Sequence, residues 1–125
     1  MRKRLLFAPV ATGAMLVAGG GFALAQLGAS PASAAQVHVV KFGEYFYRPK
    51  RLTIHVGDRV RFVNIGKIQH TVADSTKSGT IRSKLIKPRP LSHGKSQTVT
   101  FHSKGTVYYL CTFHPQLMRG TIVVR

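Results

Sequence analysis

Cys111 is the only cysteine of the 125-residue chain, and it is followed three positions on by His114 and four further on by Met118. Thiolate, imidazole and thioether are the softest donors that side chains offer. In combination they suit copper better than zinc, calcium or magnesium. A mononuclear copper site that exchanges single electrons uses two imidazoles and a thiolate in one plane, with a weak axial thioether. The stretch Tyr109–Met118 supplies three of these donors, so the second imidazole has to come from elsewhere. His38 and His55 fall inside strand-like runs at outward positions, and His93 and His102 flank turns, so these four read as solvated surface histidines. His70 differs. It follows a glycine-bearing loop and opens a short strand, where a side chain can be aimed inward. The candidate metal ligands are therefore His70, Cys111, His114 and Met118.

Other chemistries compete for the same residues. Cys111 and His114 have the types of a nucleophile and its base, but no carboxylate lies near them to orient the histidine. Glu44, Asp58 and Asp74 are the only acidic residues in the chain. Two histidines and one cysteine also form a catalytic zinc site; the methionine and the shortage of general bases weigh against it. A free cysteine buried in a dry core accounts for Cys111, yet leaves His70 and Met118 as coincidences. The chain does not read as an enzyme.

The elements that must position these donors are strands. Residues 1–34 are set aside first: Arg2-Lys3-Arg4 is a positive start, Leu5–Leu27 carries no charge, and Ala32-Ser33-Ala34 fits a small-x-small cleavage site. This is expected to be a secretory signal, with an uncleaved membrane anchor as the alternative because about 20 apolar residues can span a bilayer. Residues 35–125 form one domain, and period-two patterns dominate it. Strands are expected over Val37–Phe42, Arg51–Val56, Arg59–Asn64, His70–Ala73, Ser96–Phe101, Thr106–Cys111 and Gly120–Arg125. Gly57-Asp58 reads as the turn of a hairpin-like step between the second and third of these. Glu44–Lys50 reads as an irregular aromatic stretch. Asp74–Gly94, with Pro88 and Pro90, reads as a long exposed loop with an edge strand near Thr80–Leu85. Short strands separated by frequent turns argue an all-β sandwich or small barrel.

Taken in order, Phe46-Tyr-Arg-Pro49, Leu52–Asn64, His70-Thr-Val72 and Gly105–Gly120 resemble the cupredoxins, and among them the plastocyanin- and amicyanin-like proteins. The resemblance covers nearly all of Val37–Arg125. It implies a Greek-key β-sandwich of about seven to eight strands, one copper ion cycling between Cu(I) and Cu(II), and one-electron shuttling outside the cytoplasm. His70, Cys111, His114 and Met118 match the family's ligand positions one by one. The outer edge of the His114 ring would be the electron port, with Phe113, Pro115 and Leu117 as an apolar rim, and Asn64 and Thr71 would tune the site from behind the ligands. Three departures stand out. Thr71 replaces a frequent asparagine, Phe113 replaces a frequent proline, and the gap from His114 to Met118 is one residue longer than in the shortest, amicyanin-like loop.

Charge bounds the partners. Sixteen of the 19 lysines and arginines lie in residues 35–125 against the three carboxylates, a net of +13. Such a field governs encounter rather than fold. The expected partners are acidic redox proteins, with anionic membrane or cell-wall surfaces as further options. No nucleic-acid motif accompanies the charge, and the chain is read as a monomer. A lone thiol in an exported protein is a liability unless a metal or another chain holds it. The function expected is an exported, extracytoplasmic electron carrier. The alternative is an extracytoplasmic copper carrier or storage protein with no electron-transfer role.

Overall fold

Val40 and Phe42 are buried while Val39 and Lys41 face solvent, the two-residue period of a strand with one face on a core. The same alternation runs through Arg59–Asn64, where Val60 and Phe62 point inward between exposed arginines. In the computed structural model, which describes residues 34–125, these runs become strands of two sheets. In chain order the strands are β1 (Val37–Gly43), β2 (Phe46–Arg48), β3 (Arg51–Ile54), β4 (Arg59–Asn64), β5 (Ala73–Ser75), β6 (Ser96–Thr100), β7 (Gly105–Leu110) and β8 (Arg119–Val124), with no helix among the described residues. One sheet has the order β2-β1-β4-β6 and the other β3-β8-β7-β5. β1 with β4 and β3 with β8 run parallel, and the other neighbours are antiparallel. Inward residues of both sheets, Phe42, Phe62, Phe101, Tyr109, Ile54 and Ile122 among them, share one core. The architecture is the expected all-β sandwich. The leader segment lies outside the described residues, Ala34 apart.

Several local expectations change. β3 and β4 do not form a hairpin. The Gly57-Asp58 corner carries the chain from one sheet to the other, with Gly57 at φ +95° and the Gly57 amide bonded to the Phe101 carbonyl at 2.7 Å. Alternation reports which face of a strand is buried and says nothing of which strand lies beside it. Glu44–Lys50 is not wholly irregular, because β2 pairs with β1 through Lys41–Arg48 and Phe42–Tyr47. Between Thr80 and Leu85 there is no edge strand, only an isolated bridge from Ile81 to Ser75. The connection is not a free loop either. Ile86 and Leu91 are buried in the core, and the Asp74 carboxylate accepts the amides of Leu85 (2.9 Å) and Ile86 (2.8 Å).

His38 was expected outward and is half-buried, on the face that carries Val40 and Phe42. Its Nε2 lies 2.9 Å from Asp58 Oδ2. Asp58 also accepts the amides of Gln36 and His55, each at 3.0 Å, so one carboxylate ties the start of β1 to the end of β3. The Gln36 amide, then His38 and the His55 amide, hold the Asp58 pKa down at about 2. A depressed carboxylate pKa contributes stability above the unfolded value near 3.8, and that stability is lost as pH falls toward about 2. Replacing Asp58 with Asn is therefore expected to lower stability at neutral pH and to flatten the acid limb between these values. Denaturant unfolding of both proteins across this window checks it; an equally steep acid limb in Asp58→Asn would refute the role.

Candidate metal centre

The β7–β8 connection is a closed loop. The Cys111 amide donates to the Met118 carbonyl at 3.1 Å, one step beyond the Leu110–Arg119 pair of the ladder. Inside it the His114 carbonyl accepts the amides of Leu117 (3.1 Å) and Met118 (3.0 Å), and the His114 amide donates to the Cys111 carbonyl at 3.2 Å. These turns bury Cys111 and Met118 completely and leave His114 half-exposed between exposed Phe113 and Leu117. Alternation along β7 puts Val107, Tyr109 and Cys111 on the core side, as the pattern predicts.

His70 comes from the other side of the sandwich mouth. It is fully buried and bridges Leu91 in backbone pairing, amide to carbonyl at 3.2 Å and 2.9 Å. Its Nδ1 faces Cys111 Sγ at 3.9 Å. Its Nε2 lies 3.2 Å from Glu44 Oε1. Glu44 is held ionised, its pKa lowered to about 2 first by the Ile68 amide, then by His70 and the Lys67 amide. An ionised carboxylate only accepts hydrogen bonds, so the proton belongs on Nε2 and the Nδ1 lone pair is left facing the sulfur. A carboxylate that orients a ligand imidazole in this way is a common support of metal sites. Two donors bound at ordinary imidazole and thiolate lengths to one ion, at trigonal angles, are about 3.8 Å apart. The His70–Cys111 pair matches that separation.

His114 stacks edge-on to His70 with ring centroids 5.3 Å apart, and Tyr45 lies edge-on to His114 at 4.7 Å. No cluster of three or more His, Cys, Asp or Glu side chains that could hold a metal is formed among the described residues. What the structure brings together is the His70–Cys111 pair, with the His114 ring against His70 and Met118 buried at the end of the same loop. His38 and His93 are engaged elsewhere, His38 Nε2 on Asp58 and His93 Nδ1 at 2.8 Å from the Gly66 carbonyl.

Behind the donors sits a polar seam. The Thr71 amide faces Cys111 Sγ at 3.4 Å, and its hydroxyl lies 3.8 Å from the sulfur. That hydroxyl accepts the Thr112 amide at 2.8 Å and shares a hydrogen with the Thr112 hydroxyl at 2.8 Å. The buried Tyr47 hydroxyl donates to the Thr71 carbonyl at 2.6 Å, and burial pushes the Tyr47 pKa well above its usual value. Asn64 holds the loop that leads to His70. Its side-chain amide donates to the carbonyls of Ile68 and Leu91, and its Oδ1 accepts the Gly66 amide. Thr71 thus contacts the cysteine, whereas Asn64 acts one step further away. Glu44, Tyr45 and Tyr47 went unrecognised in the sequence. The one available signal was that Glu44 is a rare acid in a basic chain.

Residues 34–125 match the family model "Copper binding proteins, plastocyanin/azurin family". The chain belongs to that family. A plastocyanin of Prochlorothrix hollandica is 34% identical over 125 residues, covering 94% of this chain and 92% of its own. Amicyanin of Paracoccus denitrificans is 32% identical over 99 residues, covering 76% and 73%. Among solved structures, a purple cupredoxin from Nitrosopumilus maritimus superposes with a TM-score of 0.64 at 28% identity, covering 74% of this chain and all of that one. An amicyanin variant in its reduced Cu(I) form gives 0.61 at 30% identity, covering 77% and 87%. Cupredoxins are electron carriers rather than enzymes, and copper is their cofactor. The soft donor set around Cys111 fits that ion.

Removing the Thr71 hydroxyl leaves the Thr112 amide without its acceptor. An orphaned buried donor costs about 1–3 kcal/mol, and the half-buried Thr112 amide falls at the lower end of that range. Thr71→Val is expected to lower the unfolding free energy of the metal-free cupredoxin by that amount, with Thr71→Ser recovering most of it. Urea unfolding of the two variants is the check, and a Val variant as stable as wild type would exclude the seam as a structural element.

Proposed function

We propose that this cupredoxin is an exported electron carrier whose copper would be held by His70, Cys111, His114 and Met118. The observation that carries the reading is His70, with Nε2 locked on ionised Glu44 and Nδ1 turned to the Cys111 sulfur at 3.9 Å. Bound copper supplies the one-electron Cu(I)/Cu(II) couple. The protein's part is to keep the donors still while the charge changes. The Cys111–Met118 backbone pair, the Thr71 seam and the Glu44–His70 contact restrain the donor-bearing backbone and one imidazole from separate elements, which limits rearrangement on electron transfer. The half-exposed His114, in a loop that also exposes Phe113 and Leu117, offers an edge for electrons to pass, and a small apolar surface suits brief encounters.

An extracytoplasmic location is supported by the charge-free run Leu5–Leu27 behind the basic Arg2-Lys3-Arg4 start, and in an oxidising compartment bound metal would protect the lone thiol. Acidic redox partners are supported by the +13 charge. All three carboxylates are engaged inside the domain, Glu44 on loop amides and His70, Asp58 on Gln36, His38 and His55, and Asp74 on Leu85 and Ile86. A copper carrier or store needs the same donors, and an accessible His114 also serves metal release. Copper retained through repeated oxidation and reduction counts for electron transfer; prompt loss of Cu(I) to a chelator counts for transport.

The visible and electron paramagnetic resonance spectra of the copper-loaded protein test the ligand set. Wild type is expected to show an intense thiolate-to-copper band that Cys111→Ser abolishes. Met118→Leu keeps the band and raises the reduction potential, because a donor stabilises the oxidised ion more than the reduced one. A colourless copper-loaded wild type would sink the assignment. With an acidic partner, the electron-transfer rate is expected to fall steeply with ionic strength, since steering between exposed charges is screened over about 10 Å at 0.1 M salt. A flat salt profile removes the acidic-partner reading.

A further inference from the structure

A cleft of about 250 Å³ opens on the β3-β8-β7-β5 sheet, and none of the four proposed ligands lines it. Its floor is a row of directly paired residues, Ser75 on β5, Tyr108 on β7 and Thr121 on β8. Tyr108 and Thr121 alternate with buried Tyr109 and Gly120, so they face away from the core. Lys50 closes one end, where its carbonyl accepts the Thr121 amide at 2.9 Å, and Lys77 and Arg119 stand at the other lining positions. Three cations therefore line one small cleft, and no acidic side chain does. The sequence neighbour of Ser75, Asp74, is turned to the Leu85 and Ile86 amides.

Arg119 is already fixed. Its Nε donates to the Pro115 carbonyl at 2.7 Å, Nη1 reaches the Ser78 carbonyl and Nη2 reaches Gln116 Oε1, each at 3.4 Å, and the guanidinium lies over Gly79, where a Cβ would collide with it; the second hydrogens of Nη1 and Nη2 are left to donate. The ammonium groups of Lys50 and Lys77 and the hydroxyls of Tyr108 and Thr121 make no hydrogen bond among the described residues. A rigid guanidinium flanked by free ammonium and hydroxyl donors is suited to an anion with several oxygens, and a preset guanidinium lowers the ordering cost of binding. We propose that this cleft binds a phosphate-class oxyanion. The volume lies just below the range of ordinary small-ligand pockets, which accommodates a tetrahedral anion with a modest substituent. Because Arg119 also grips Pro115, an anion seated here is mechanically linked to the loop that carries His114 and Met118. The site stands on the metal-free protein and does not depend on the copper ligand set.

Inorganic phosphate titrated into the metal-free protein, with ionic strength matched by chloride, tests the proposal by calorimetry and amide chemical shifts. Saturable shifts are expected at Thr76, Lys77, Tyr108 and Thr121, and smaller ones at Gln116 and Leu117. Lys50→Gln with Lys77→Gln should weaken binding at least about tenfold. The equally charged pair Lys41→Gln with Lys104→Gln, placed on other surfaces, should change it less than about twofold. Arg119→Lys keeps the charge but loses the preset guanidinium and its Nε tie to Pro115, so binding should weaken several-fold, to about the millimolar range or beyond, and the shifts at Gln116 and Leu117 should vanish. Vesicles containing phosphatidic acid form the second arm. If they bind where free phosphate does not, and the Lys50/Lys77 pair abolishes it, the oxyanion is a lipid headgroup. Equal weakening by both double variants, shifts spread over all cationic surfaces, vesicle binding that survives the Lys50/Lys77 change, or no binding in either arm would overturn the site.

Discussion

Thr71 meets Cys111 and Thr112 across 40 positions of sequence, its amide 3.4 Å from the sulfur and its hydroxyl accepting the Thr112 amide at 2.8 Å. The end of the sandwich that holds His70 and Cys111 depends on this seam. It joins the segment that carries His70 to the end of β7, so that the thiol and the imidazole are set by the same contact. The Tyr47 hydroxyl fixes Thr71 from behind, and Glu44 fixes the far nitrogen of His70. Each tie comes from a different stretch of chain, so displacing one donor requires several hydrogen bonds to break together. That is the mechanical condition for a centre that changes charge without changing shape.

The scarcity of carboxylates acts on a second level. Three acids serve a domain with sixteen lysines and arginines, and each is used as an internal tie for backbone amides. Asp58 joins the β3–β4 corner to the start of β1, Asp74 pins the long connection so that Ile86 enters the core, and Glu44 braces the loop before His70. Amide donors and nearby imidazoles stabilise the ionised forms, which is why Glu44 and Asp58 titrate near 2. Of the three, only Glu44 stays exposed, and it is already committed to the Lys67 and Ile68 amides and to His70, so the surface cations are left almost without compensating anions. The same economy of acids that braces the fold therefore shapes what the protein can meet, whether an acidic partner at the His114 rim or an oxyanion in the cleft beside Arg119.

By itself the sequence determined the strand-rich class, the core face of most strands and the candidate donors, because these follow from residue chemistry and a two-residue period. The spacing Cys111, His114, Met118 also placed three donors on one loop between two strands. Only the tertiary structure decided which strands are neighbours. β3 and β4 read as a hairpin but lie in different sheets, since alternation carries no information about the partner strand. It likewise decided that His38 turns inward to Asp58, and that Glu44, Tyr45 and Tyr47 serve the site. Glu44 reaches His70 over 26 positions because parallel pairing of β1 with β4 sets the loops after both strands side by side. Such contacts are long in sequence and short in space, so residue type and local period cannot reveal them; the packing of two sheets can.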